Sequence, residues 1–388
     1  MTAMVNGLKS EACEARGMHN IIVVLGTRPE AIKLAPVVLE LRKHPERFHI
    51  VVVVTTQHRE MLDQVLHLLQ IKSDYDLDIM RPTQTPFDVT EGALWGLRPV
   101  FEAEKPDLVL VQGDTTTTFA AALAAFYLKT PVGHVEAGLR TGDKYQPFPE
   151  EINRHLTTVL ADLCFAPTEW THQNLLRENI PAERIFVTGN TVIDALLMKA
   201  QQQANFDHPV LSRLDFEHSR VILVTAHRRE NWGEPMRNIC RALKQLVTAH
   251  WNVDIAFAVH LNPAVQQVVR EELADVGRIH LLEPLSYGPF VHLMTRSHFI
   301  LTDSGGIQEE APSLGKPVLV LRNVTERPEG VEAGTLKLVG TNTERIVAEA
   351  ERLLTDESSY RTMAQAKNPY GDGHAAERIV EILGQWLG

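Results

Sequence analysis

Short runs of consecutive Val, Ile and Leu recur from end to end of the chain. They fall at 21–26, 50–56, 108–112, 131–135, 163–166 and 185–188, then at 221–226, 254–259, 279–282, 298–302 and 317–321. Because they are apolar on successive positions rather than alternate ones, they predict parallel strands covered on both faces. The segments between them, such as Glu30–Arg42, Thr117–Tyr127 and Pro235–Ala249, carry helical spacing. The alternation βαβα predicts a doubly wound α/β fold. These strands suit two sheets of about six and five better than one very wide sheet. The break is placed in 189–218, where the helix-like Thr191–Gln203 is followed by the polar stretch Asn205–Ser219. Ligands of open parallel sheets bind beyond the carboxyl ends of the strands. The charged and glycine-containing motifs lie at those ends in both halves, which predicts a site in a cleft between two domains.

Composition narrows the classes. With 388 residues, 44% of them hydrophobic and 22% charged, the chain has the make-up of a globular protein with two cores. A formal charge of −11 argues against a general nucleic-acid or membrane-surface binder. A local Arg/Lys/His pocket can still receive an anion. No apolar run approaches the ~20 residues that span a bilayer. Cys13, Cys164 and Cys240 are widely spaced and show no metal-ligand pattern, so they read as reduced thiols of a cytoplasmic protein. The first 17 residues lack an apolar core and are not a secretory signal. With a strand starting at Ile21, the expected native start is Met18.

Chemistry is concentrated at the strand ends. The segment LTDSGGIQEEAPSLGKPVLVL at 301–321 turns from strand to helix at Ser304, Gly305 and Gly306. Backbone N–H groups there suit a diphosphate, and Glu310, one turn later, suits ribose hydroxyls. After the first strand comes GTRPEAIKLAP at 26–36, with Pro29 suited to a first helical turn and Arg28 and Lys33 as phosphate donors. After the third comes VQGDTTTT at 111–118, where Asp114 is either a helix cap or a working carboxylate. HVEAGLRTGD at 134–143 and PFPEEINRH at 147–155 add Glu136 and Glu150. Three carboxylates on separate loops exceed what capping requires and suit proton removal and return. In the second half, His227 and Arg228 follow one strand, His260 another, and Arg327 lies in TERP at 325–328. Phosphate contact is the better reading for His227, Arg228 and Arg327. Two histidines without a third ligand at fitting spacing do not make a metal site. No Gly-x-Gly-x-x-Gly follows the first strand and no P-loop is present, which demotes NAD chemistry and ATP hydrolysis. Ser304 lacks a nucleophile-elbow pattern.

The runs GTRPEAIK at 26–33, QHREML at 57–62, GDTTTT at 113–118, HVEAGLRT at 134–141, PEEINR at 149–154 and TGNTVIDA at 188–195, with the 301–321 segment, strongly resemble the non-hydrolysing bacterial UDP-N-acetylglucosamine 2-epimerases. The resemblance runs in order from Ile21 to Gly373. It implies a glycosyltransferase-B-type fold of two Rossmann-like domains, 18–188 plus 374–388 and 189–373, with the last helix returning to the first domain. It implies interconversion of UDP-N-acetylglucosamine and UDP-N-acetylmannosamine by anti elimination of UDP, leaving 2-acetamidoglucal, and re-addition to the opposite face. No cofactor and no metal are implied, and the partners are the UDP-sugar and a second copy in a homodimer. Carried over by motif, the catalytic set is Asp114, Glu136, Glu150 and His227. Arg28, Lys33, His227, Arg327, Ser304, Gly305 and Gly306 would hold the diphosphate, Phe290 would set its backbone against uracil, and Glu310 would hold the ribose. Gln57, Glu150, Arg228 and His260 match the activator site of members that their own substrate stimulates. Leu285 and Glu60 stand where some members carry Gln.

Four other readings share these motifs: a 2-epimerase of a UDP-2,3-diacetamido-uronate, a UDP-sugar glycosyltransferase of the same fold, a hydrolysing epimerase, and a nucleotide-sugar-binding regulator. The three carboxylates of the first half argue against a transferase, and with His227 they argue against a regulator without turnover. A hydrolysing epimerase often comes fused to a kinase domain, which is not expected here. Nothing in the motifs separates the two epimerase substrates.

Overall fold

The computed structural model describes residues 17–55, 65–81, 83–202 and 211–388. These form two compact units, one running to Ala195 and resuming at Gly371–Gly388, the other spanning Leu196–Tyr370. The divisions thus fall at 195/196 and 370/371, against the expected 188/189 and 373/374. Asp194 shows why the start of helix Thr191–Ala200 goes with the first unit. Its buried carboxylate accepts the N–H of Ala376 at 2.8 Å, at the start of the C-terminal helix Ala375–Leu387. That helix buries Ala375, Ile379 and Leu383 and packs against helix Arg28–Leu41.

The first unit holds a seven-stranded sheet in the order β3-β2-β1-β4-β5-β6-β7. Its strands are β1 (His19–Leu25), β2 (Phe48–Val54), β3 (Tyr75–Asp76), β4 (Leu108–Gln112), β5 (Val132–Val135), β6 (Leu163–Ala166) and β7 (Ile185–Val187). The second unit holds six strands in the order β10-β9-β8-β11-β12-β13. These are β8 (Arg220–Thr225), β9 (Val253–Ala258), β10 (Ile279–Leu282), β11 (Phe299–Thr302), β12 (Val318–Val320) and β13 (Leu336–Leu338). Every pairing is parallel. Each strand expected from an apolar run is present. The two the pattern passes over, β3 and β13, are edge strands of two and three residues that include Asp76 and Lys337. An edge strand is paired on one side only, so it needs no continuous apolar run.

Local chemistry sets the helix starts. Pro29 occupies the first turn of Arg28–Leu41. Thr85 and Asp88 form a reciprocal capping box at Pro86–Glu104, and the Thr115 hydroxyl caps Thr116–Tyr127. Ala120, Ala121, Ala124 and Ala125 let that last helix lie close on the sheet, where Leu97 and Phe101 of its neighbour join Val24, Val53 and Val109 in one core. Full burial of a side chain such as Phe101 contributes on the order of 2–3 kcal/mol.

Both strand orders reverse once beside the first strand of the unit, between β1 and β4 and between β8 and β11. At such a switch point the following loops diverge to opposite faces and leave a crevice at the strand ends. The loops there are Gly26–Arg28 and Gly113–Asp114 in the first unit, and Ala226–Arg228 and Asp303–Gly306 in the second.

Candidate active site

In the first unit the crevice is acidic and tightly hydrogen-bonded. A Cβ on Gly26 would lie 2.6 Å from the Thr117 hydroxyl, so only glycine lets the β1 loop approach helix Thr116–Tyr127 so closely. Glu30 is buried beneath this loop. It accepts the Gly26 N–H at 3.2 Å and the hydroxyls of Thr115 and Thr118 at 2.9 Å each. Burial raises its pKa above the ordinary carboxylate value despite these donors. Arg28 is exposed at the helix start.

Glu136 follows β5 with φ +64°, a left-handed conformation uncommon for a side-chain-bearing residue. Its buried carboxylate takes the Lys33 ammonium at 2.6 Å on both oxygens, the Asn190 amide at 3.1 Å and the Gln112 amide. Lys33, expected as a phosphate donor, therefore lies against Glu136. It sits more than a turn into helix Arg28–Leu41, which carries it past the loop and over the end of β5.

Asp114 is not the cap of its helix, since Thr115 fills that role. Its carboxylate instead receives the Arg154 guanidinium, and its carbonyl receives the Asn153 amide at 3.0 Å. Glu150 and Glu151 divide the work at the start of helix Glu150–Leu160. Glu151 is buried and accepts the N–H groups of Thr141 and Gly142 at 3.1 Å. Glu150 is half-buried and has no side-chain partner among the described residues. Pattern reading selected Glu150 and passed over Glu151, Arg154 and Asn190. All three lie inside the quoted motifs, yet only their partners reveal what they do.

His134 beneath Glu136 is fully buried and donates Nε2–H to the Gly113 carbonyl at 2.8 Å. Burial holds its pKa down at about 4, against 6.5 for an exposed imidazole. The unfolded chain takes up this proton below pH 6.5 and the folded chain does not until about 4. Stability present above the higher value is thus lost as pH falls to the lower one, by about 3 kcal/mol in all. Urea unfolding from pH 7 to 4.5 should show a shallower loss for His134→Gln, which keeps a donor for Gly113, than for the parent.

In the second unit the crevice is cationic. Asp303, buried at the end of β11, accepts the N–H groups of His227 and Arg228 and the Asn231 amide, each at 2.9 Å. Its other oxygen lies 3.1 Å from Nδ1 of His227. Burial pushes the Asp303 carboxyl up, but the His227 ring and these amides outweigh it and hold it below the ordinary value. Asp303 thus orients the His227 ring, which stacks on exposed His260 at 5.6 Å between centroids. The guanidinium groups of Arg228 and Arg327 both reach Gly305, each within 3.8 Å of where a Cβ would stand. Arg327 is anchored by buried Glu309, and the Arg228 guanidinium lies 3.5 Å from Glu326. Ser304 precedes helix Gly305–Glu310 without capping it by its side chain, so the first N–H groups are left for another acceptor. A Cβ on Gly306 would stand 3.5 Å from the Glu310 carboxylate, which places that acid beside the same turn. Phe290 lies in helix Tyr287–Arg296 with its ring against the core and its N–H bonded to the Ser286 carbonyl at 3.1 Å. Gln57 lies outside the described residues. No group of three or more metal-ligating side chains occurs among the described residues.

The cysteines Cys164 and Cys240 are buried, and burial pushes both thiols up to about 12, which makes them inert. Among the described residues no helix is long and apolar enough to cross a membrane.

The family model described as UDP-N-acetylglucosamine 2-epimerase matches residues 14–384. A UDP-N-acetylglucosamine 2-epimerase of Bacillus subtilis is 57% identical over 363 residues, covering 94% of each chain. A solved chain from Listeria monocytogenes is 51% identical with a TM-score of 0.90, over 95% of this chain and 96% of the other. A UDP-GlcNAc 2-epimerase from Neisseria meningitidis, solved bound to UDP-GlcNAc, is 52% identical with a TM-score of 0.84, over 94% of this chain and all of the other. A glycosyltransferase structure 10% identical, with a TM-score of 0.65, shares the fold alone. The two Rossmann-like units, with their polar groups at the switch points, are those of a glycosyltransferase-B-type nucleotide-sugar enzyme. Within that class, the chain belongs to the UDP-N-acetylglucosamine 2-epimerase family.

Proposed function

We propose that this protein interconverts UDP-N-acetylglucosamine and UDP-N-acetylmannosamine without hydrolysis, by anti elimination of UDP and its re-addition to enzyme-bound 2-acetamidoglucal. The observation that carries the reading is the convergence of Arg228 and Arg327 on the open turn at Gly305, a site for a diphosphate, in a chain whose first unit gathers acids. The sugar C2–H is not acidic by itself. It becomes removable as the C1–O bond breaks and positive charge develops at C1, so departing UDP must be stabilised as a carboxylate takes the proton. Arg28, Arg327, His227 and the Ser304–Gly306 amides hold the diphosphate. Glu310 holds the ribose and the Phe290 backbone is set against uracil. Asp114, Glu136 and Glu150 move protons or orient the sugar, with the Lys33 ammonium held against the Glu136 carboxylate. Gln57 and His260 serve an activating second substrate molecule, with Arg228 shared between that molecule and the diphosphate at Gly305.

Proton NMR of the enzyme with UDP-N-acetylglucosamine in D₂O tests this. UDP-N-acetylmannosamine carrying deuterium at C2 is expected. Free N-acetylmannosamine with UDP would mean hydrolysis, and an unchanged spectrum would turn attention to a UDP-2,3-diacetamido-uronate, then to a transferase.

The working form is a homodimer in the cytoplasm. Helix Glu150–Leu160 buries Glu151, Asn153, Thr157 and Thr158 while Ile152, Leu156 and Val159 stand exposed, the reverse of an ordinary surface helix. Phe126 and Tyr127 of the adjoining helix, also exposed, extend the apolar area, and such patches mark interfaces. Light scattering should show a dimer for the parent and a monomer for Val159→Asp.

A further inference from the structure

We infer that Arg154 is a positioning residue for Asp114, an inference that rests on the proton role proposed for that carboxylate. The Arg154 guanidinium is a bridge. Nη2 donates to the Asp114 carboxylate, while Nη1 lies 3.3 Å from Glu151. Asp114 keeps 29% of its side-chain surface exposed, Arg154 11% and Glu151 1%, so the chain of charges runs from the open crevice into the interior. Glu151 cannot swing away, because the N–H groups of Thr141 and Gly142 hold it at 3.1–3.2 Å. Behind it, His155 lies 3.4 Å from Glu151 and 3.2 Å from Glu178. Glu178 is clamped by two nitrogens of Arg140 at 2.7 and 2.8 Å. The neighbouring Asn153 fixes the Asp114 carbonyl, so two successive residues of one helix set both the backbone and the side chain of Asp114.

A planar guanidinium with several fixed donors can join two carboxylates at once, whereas an ammonium is a point charge. Arg154 therefore fixes where the Asp114 carboxylate stands and keeps a positive charge beside it, without needing to touch the sugar. Few other contacts restrain a carboxylate at the rim of a crevice, and a displacement of about 1 Å at a reacting group can lower a rate ~10²-fold.

The test is steady-state kinetics of the full-length enzyme on UDP-N-acetylglucosamine. Arg154→Ala should lose roughly 10²-fold in kcat with KM changed by less than about threefold, the signature of an interaction used in the transition state. Guanidinium chloride at constant ionic strength should restore at least about tenfold of that loss, and Arg154→Lys should fall between the two. In an Asp114→Asn background, Arg154→Ala should cost little more and guanidinium should do nothing, because residues acting as a unit are not additive. If Arg154→Ala does not fold, the Lys variant carries the same comparison through its kcat-to-KM split. Near-normal kcat in a folded Arg154 variant, a loss deaf to guanidinium, or full additivity with Asp114→Asn would overturn the inference. Normal turnover of Asp114→Asn alone would instead remove Asp114 from the mechanism, and so marks failure of the proposed function separately.

Discussion

Asp114→Asn should lower kcat by at least ~10²-fold, about 2.7 kcal/mol of transition-state stabilisation, while the fold persists. The amide is nearly the same size and its oxygen can still accept from Arg154, so circular dichroism and the urea midpoint should stay close to the parent's. What disappears is the ability to take a proton. The exposed edge of Asp114 lies at the β1/β4 switch point, and its helix is already capped by Thr115, so a purely structural role would predict little kinetic change. Loss of C2 deuterium incorporation in D₂O, with UDP still bound, is the expected accompaniment. Near-normal turnover in a well-folded variant would take the residue out of the proton chemistry.

Glu136→Gln should cost both activity and stability, and the two are separable. The carboxylate receives Lys33 on both oxygens and the amides of Gln112 and Asn190. A glutamine offers one acceptor oxygen and turns an NH₂ group toward donors. It also puts a neutral group where the carboxylate faces the Lys33 ammonium. Breaking a buried pair costs roughly 3–5 kcal/mol, and the low end is expected because water still reaches part of Lys33. Turnover should fall at least ~10²-fold, since the neutral side chain neither takes a proton nor carries charge. Adding Lys33→Met should recover much of the urea midpoint and none of the activity. If the double variant recovered turnover as well, Glu136 would be a structural counter-ion only.

Much of the architecture was legible because the central strands are largely buried on both faces and are therefore mostly apolar on consecutive positions. Ile21–Leu25 and Leu108–Val111 announce themselves in that way. Edge strands β3 and β13 do not, since one side of each needs no cover. The motif residues were legible as candidates because polar side chains at the carboxyl ends of buried strands have few structural reasons to be there. Asp303 was missed although it immediately precedes Ser304. Its role is to orient His227, a residue distant in sequence, and spacing along one segment carries no sign of that.

The sequence by itself determined the parallel βαβ order, the helix starts at Pro29, Thr85 and Thr115, and which loops carry the chemistry. These follow from local sterics, capping and the requirement that strands covered on both sides be apolar. Tertiary structure decided the pairings. It gave Lys33 to Glu136, Arg154 to Asp114, and buried Glu151 in place of its neighbour Glu150. It also turned the apolar side of helix Glu150–Leu160 outward. Such choices depend on which side chains meet across loops far apart in the chain, and the strength of a charge contact depends on how much water its neighbours exclude.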